Sequence, residues 1–155
     1  MAKQIKRRQT IITRMAACFL LAMPASYSYA AGTLDTSFDL DGKLTTDFTG
    51  LVDEANAVAV QADGKILAAG LSRTSTGDAD FGLARYLSTG RLDTSFSGDG
   101  KLTTNFFNGA DEARALIVQP DGNILVAGFV IGSTGSIDFG LARYLPNGNL
   151  DTTFG

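Results

Sequence analysis

Two short runs carry the residues best suited to chemistry. Ser37-Phe38-Asp39-Leu40-Asp41-Gly42 places oxygen donors at alternate positions ahead of a glycine, the spacing of a calcium loop. Its counterpart, Ser95-Phe96-Ser97-Gly98-Asp99-Gly100, keeps one of the two acids, and no glutamate follows either run at the distance that closes such a loop. Asp39, Asp41 and Asp99 are thus weak calcium candidates, and an ordinary Asp-Gly turn is the stronger reading. Asp53-Glu54 recurs as Asp111-Glu112. A retaining glycosidase pair needs carboxyl groups about 5 Å apart. Neighbours in an extended segment point opposite ways, so a solvated loop or a capping role is favoured over catalysis.

Arg85 and Arg143 are the charges set within long apolar runs, with Asp80 and Asp138 five residues before them. An inward arginine can grip an anion with two hydrogen bonds. Structurally, it pairs with a carboxylate of the same or the next unit, or reaches to the rim. Its appearance in both places favours the structural role. The chain has no histidine and one cysteine, Cys18. This excludes Ser-His-Asp and Cys-His catalysis and histidine-based zinc sites.

These residues sit in a repeating frame. Leu34-Asp35-Thr36-Ser37-Phe38 returns as Leu92-Asp93-Thr94-Ser95-Phe96 and as Leu150-Asp151-Thr152-Thr153-Phe154. Residues 34–97 lie on 92–155 without a gap, and about 40 of the 64 positions are identical. The expected organisation is a signal peptide over 1–30, repeat 1 over 31–91, repeat 2 over 92–149, and the start of a third repeat over 150–155.

Residues 1–30 have their own character. Lys3, Lys6, Arg7, Arg8 and Arg14 precede the apolar run Met15-Ala16-Ala17-Cys18-Phe19-Leu20-Leu21-Ala22-Met23, and small residues follow as far as Ala31. That order describes a secretory signal cut after Ala30. The apolar run is far short of the roughly 20 residues that span a bilayer, so no stable membrane anchor is expected. The whole chain has 13 basic and 16 acidic residues. Five of the basic ones precede Ala31, which leaves eight against 16, a net charge of −8 after cleavage. Such a balance argues against a nucleic-acid partner, which needs a clustered cationic surface. The cleaved chain is also free of cysteine, so no disulfide holds it together. The expected location is periplasmic or extracellular.

Within a repeat, apolar residues alternate with a period near two, and turn residues punctuate them. The pattern predicts strands over 43–48, 55–61, 65–71 and 81–87, with a tight hairpin at Asp63-Gly64. Asp121-Gly122 marks the same hairpin in the second repeat. The fold class expected is all-β: two four-stranded antiparallel meanders of propeller-blade type. Ala57, Ala59, Ala68, Ala69, Gly70, Gly82 and Ala84 allow the close approach that stacked blades require. A tightly packed β-sandwich is the alternative.

Three stretches then carry a family likeness: residues 119–128, Asp138-Phe139-Gly140-Leu141-Ala142-Arg143-Tyr144, and Asn147-Gly148-Asn149-Leu150-Asp151. Together they resemble the bacterial delta-60 repeat, over essentially all of residues 32–155. The resemblance implies tandem β-propeller units in exported bacterial proteins, and it implies no reaction. Family members often carry many more units. Two units and a fraction leave sheet faces and edges exposed, so self-association through those edges is expected. A fragment of a longer protein, a ring assembled from several chains, and an open two-sheet sandwich all fit that count. The functional expectation is an exported, non-enzymatic repeat protein with a binding or structural role and an unknown ligand. A fragment of a carboxylate-dependent hydrolytic propeller enzyme and a calcium-stabilised module are the alternatives.

Overall fold

The computed structural model describes residues 32–48, 51–75 and 77–155. The chain divides into two units, residues 1–33 and 34–155. The first contributes only Gly32 and Thr33 to the described residues, so the signal-peptide expectation lies outside them.

The second unit contains seven strands, and no helix occurs among the described residues. They are β1 (Asp53–Val60), β2 (Ile66–Arg73), β3 (Ala79–Tyr86), β4 (Lys101–Thr104), β5 (Glu112–Val118), β6 (Ile124–Ile131) and β7 (Ile137–Tyr144). They form two antiparallel sheets, of order β1-β2-β3-β4 and β5-β6-β7. The hairpin turns stand where Asp-Gly places them. Asp63 Oδ1 accepts the Lys65 N–H, and Gly64 takes a positive φ of 83° that a β-carbon would resist. Asp121 and Gly122 repeat this, with φ 85° at the glycine.

One expectation is corrected. The sheets hold four and three strands, not four each, and the strand expected at the head of each repeat does not join that repeat's own sheet. Lys101–Thr104, at the head of the second repeat, pairs with β3 of the first: Ala84 opposite Lys101, Leu83 opposite Leu102, Gly82 opposite Thr103 and Phe81 opposite Thr104. Its counterpart Lys43-Leu44-Thr45-Thr46 is identical in sequence but forms no strand. A strand exists only where a neighbour accepts its hydrogen bonds, and among the described residues nothing precedes the first repeat to supply one. Sequence repeats and sheets are thus out of phase by one strand.

The sheets pack face to face. Leu67, Phe81 and Leu83 of the first sheet and Ile124, Val126 and Val130 of the second are almost wholly buried, together with Phe96 from the connecting turn. Glycine makes the approach possible. A β-carbon on Gly140 would stand 3.3 Å from Phe81 Cζ of the facing sheet and would also crowd Val130 of its own sheet. Each sheet also has a bulge in its first strand, between Ala55 and Ala57 and between Ala113 and Ala115. There the extra residue drives a carbonyl toward the facing strand, and Gly70 and Gly128 receive it.

Candidate functional site

The residues most able to do chemistry lie at the joints between units. In the turn joining β3 to β4, Asp93 Oδ1 accepts the Ser95 N–H at 3.1 Å and the Ser95 hydroxyl at 2.6 Å. Arg85, in β3, approaches Asp93 Oδ2 through Nε at 2.8 Å, off the N–H axis, so the contact is an ion pair rather than an aligned hydrogen bond. Its Nη2 donates to Ser95 Oγ at 3.1 Å, its Nη1 donates to the Pro146 carbonyl, and its plane covers the Phe96 ring at 4.6 Å. Burial raises the pKa of Asp93. Hydrogen bonds from the Ser95 hydroxyl and backbone outweigh it, with Arg85 and Lys65 adding their charges, so the carboxyl titrates below its ordinary value.

Arg143 repeats the arrangement with Asp151, from Nε at 2.8 Å and Nη2 at 2.7 Å, and lies over Phe154 at 4.7 Å. Asp35 makes the same turn with Ser37. The arginines therefore pair with the joint aspartates eight residues on, not with Asp80 and Asp138. A separation of five puts Arg85 and Asp80 on opposite faces of the strand.

Asp80 instead accepts from Asn105 Nδ2 at 2.8 Å. Burial raises its pKa, and the nearby Asp111 and Asp78 charges add to this against the Asn105 hydrogen bond. Asp138 is exposed and accepts from Ser136 Oγ at 2.9 Å. The acidic pairs ahead of β1 and β5 are likewise separated in role. Asp111 is fully buried and accepts the Phe106 N–H at 2.8 Å, while its own N–H donates to the Ala79 carbonyl of the other sheet. Asp53 accepts the Phe48 N–H at 3.0 Å. Glu112 pairs with Arg114 at 2.7 Å and accepts from Asn56 Nδ2 at 3.0 Å.

Asp41 and Asp99 each receive a backbone N–H, from Lys43 and Lys101, at 2.9 Å. Asp39 stands at a positive φ of 46° with its N–H on the Thr89 carbonyl. Among the described residues no three histidine, cysteine or acidic side chains converge as a metal would require. Asn56, in the first bulge, donates to the Ala113 carbonyl at 3.0 Å and so ties one bulge to the other. Sequence reasoning missed Asn105, Asn56 and the clamp at Asp111. For Asp111 a signal existed, since an acid recurs at the same place in both copies.

Two clefts remain. One, of about 460 Å³, lies against the first sheet's free face and is floored by Ala68, Gly70, Gly82, Ala84 and Tyr86. The other, of about 690 Å³, lies against the second sheet's free face between Arg114, Phe129, Ile137 and Phe139. Each is the face that a neighbouring blade would cover. Their walls are mainly apolar, and the first is also lined by Lys43, Asp53 and Glu54. The arrangement can hold surfaces together or receive one.

Residues 61–96 and 119–154 match a family described as a domain of unknown function (DUF5122) beta-propeller. The matches start 58 residues apart and each takes in a hairpin turn, the two strands after it and the joint. They support a β-propeller-type repeat. No curated protein matches the chain.

Proposed function

We propose that this chain is an exported, non-enzymatic β-propeller-like repeat module whose role is binding or structural. One observation carries this reading: at the joints, at the hairpin turns and at the heads of β1 and β5, acids that recur in both repeats also recur in their contacts. Asp93 and Asp151 each hold a following serine or threonine and an arginine, Asp53 and Asp111 hold a backbone N–H, and Asp63 and Asp121 hold turns. A catalytic site is singular and breaks the symmetry of a repeat, whereas a joint is copied with it. The apolar clefts on the free sheet faces supply the surface for binding. The basic-then-apolar N-terminus supports export, and the more precise delta-60 assignment rests on the three stretches named above.

The test is expression of the full chain in a Gram-negative host, with fractionation and intact-mass measurement. The expected product is periplasmic or secreted, lacks residues 1–30, and turns over no chromogenic glycoside, ester or phosphate ester. A full-length mass confined to the cytosol overturns export. Turnover that Glu54→Gln or Glu112→Gln abolishes overturns the non-enzymatic reading.

A further inference from the structure

The same residues meet opposite fates in the two sheets. Phe81 is 1% exposed and its counterpart Phe139 is 95% exposed; Leu83 is 1% and Leu141 is 49%. The strands that carry them, over Asp80 to Leu87 and Asp138 to Leu145, are identical in sequence. What covers β3 is known in detail. β4 pairs along its edge, Phe106 sets its ring against Phe81 at 5.0 Å edge to face, and the Asp111 N–H donates to the Ala79 carbonyl. Among the described residues, β7 has no strand along that edge.

The complementary piece lies at the other end of the chain. Lys43-Leu44-Thr45-Thr46 has the sequence of β4, and Phe48 and Asp53 correspond to Phe106 and Asp111. The segment is already held where an outer strand belongs. Thr46 Oγ1 accepts the Tyr86 hydroxyl at 2.7 Å, as Thr104 Oγ1 accepts the Tyr144 hydroxyl at 2.8 Å. The Phe48 N–H is fixed by Asp53 as Phe106 is by Asp111. Among the described residues, only its strand partner is absent. Each chain thus has one strand to lend and one edge to fill.

We propose that residues 43–48 of one copy add to the β7 edge of a second copy, head to tail. The register follows from β3 and β4: Ala142 opposite Lys43, Leu141 opposite Leu44, Gly140 opposite Thr45 and Phe139 opposite Thr46, with Phe48 set edge-on to Phe139. This joint rests on the blade reading of the fold and is independent of export. It pairs different surfaces of the two copies, so it closes into a ring only when the rotations add up. Two, three or four chains give four, six or eight blades, within the span that propellers close.

The test uses the full chain with Cys18→Ala. Light scattering at about 100 µM is expected to show one discrete oligomer of two to four chains. Phe139→Glu alters a side chain already in solvent, so its circular dichroism should stay that of the parent while the oligomer falls to monomer. Lys43→Cys chains mixed with Ala142→Cys chains should form a disulfide that neither forms with the parent, since directly opposed residues on adjacent strands lie within disulfide reach. A folded monomer at that concentration overturns the proposal. So does an oligomer that survives Phe139→Glu, or one whose mixed cysteines stay reduced under oxidation. Loss of the blade signature in the parent's circular dichroism instead overturns the fold reading beneath it.

Discussion

Arg85 Nη1 donates to the carbonyl of Pro146, a residue 61 positions on and at the far end of the other sheet. Through the same guanidinium the arginine holds Asp93 and Ser95, so one side chain ties strand, joint and neighbouring blade. Among the described residues, Arg143 holds its own joint aspartate and the Phe154 ring, and it is more exposed than Arg85.

Arg85→Ala therefore breaks a buried ion pair and leaves the buried Asp93 to its longer, 3.5 Å contact with Lys65. Removing one member of such a pair costs about 3 kcal/mol. Arg143→Ala is expected to cost clearly less. Urea unfolding of the two variants at neutral pH checks the order, and equal losses would show that the contact across blades adds nothing.

Asp93 also contributes to the acid limb. Its carboxyl titrates below the ordinary value, so its stabilising share is whole above the unfolded value and disappears as pH falls through the folded one. Asp93→Asn should be less stable than the parent at pH 7 and should lose less between pH 5 and pH 3. Melting midpoints across that window are the measurement.

At the alkaline end the residue is Tyr144. Burial pushes its phenol from 10.0 up to about 12, against a smaller opposing effect of the hydrogen bond to Thr104. The unfolded chain ionises first, so stability is intact below pH 10 and is lost as pH rises toward 12. Tyr144→Phe should lose about 1 kcal/mol at pH 7 with its hydrogen bond. It should then fall less steeply above pH 10, where Tyr86, also raised by burial, still contributes.

Gly70 faces the bulge in β1. A β-carbon there would stand 1.7 Å from the Glu54 carbonyl oxygen, and backbone cannot yield as a side-chain tip can. Gly70→Ala should cost about 3 kcal/mol, at the upper end for an overpacked site. Gly77→Ala is the control. Its β-carbon meets nothing within 4 Å, so its cost should be only that of its positive φ.

Much of this frame was legible in the residues. Alternation marked β1, β2, β3 and their repeats to within two or three residues, because a half-buried strand writes its two faces into the sequence. Asp63-Gly64 and Asp121-Gly122 named their turns for the same local reason. Lys43-Leu44-Thr45-Thr46 and Lys101-Leu102-Thr103-Thr104 could not be told apart, since they are identical and differ only in what lies beside them. The Asn105 contact and the bulges were hidden likewise. Each depends on where another strand's backbone runs, and periodicity along one strand does not record that.

The final prediction turns on a single difference between otherwise matched joints. Asn105 Nδ2, just past β4, donates to Asp80 Oδ1 on β3 and so links the two repeats. In the proposed joint between copies the corresponding residues are Asp47 and Asp138, and two carboxylates face where an amide faced a carboxylate. Like charges so placed oppose association. Asp47→Asn restores the donor, and each joint should gain about 1 kcal/mol from the hydrogen bond alone. A closed ring of n chains makes n joints over n − 1 associations, so the concentration at half-association should then drop roughly ten-fold for four chains to thirty-fold for two, with a further drop from relief of the repulsion. Asp138→Asn should act in the same direction, and the double variant should gain less than the two together, since either change alone removes the repulsion. Sedimentation velocity over a dilution series reads all three. Weaker association in Asp47→Asn would mean that residues 43–48 do not sit on β7 in the register of β4 on β3.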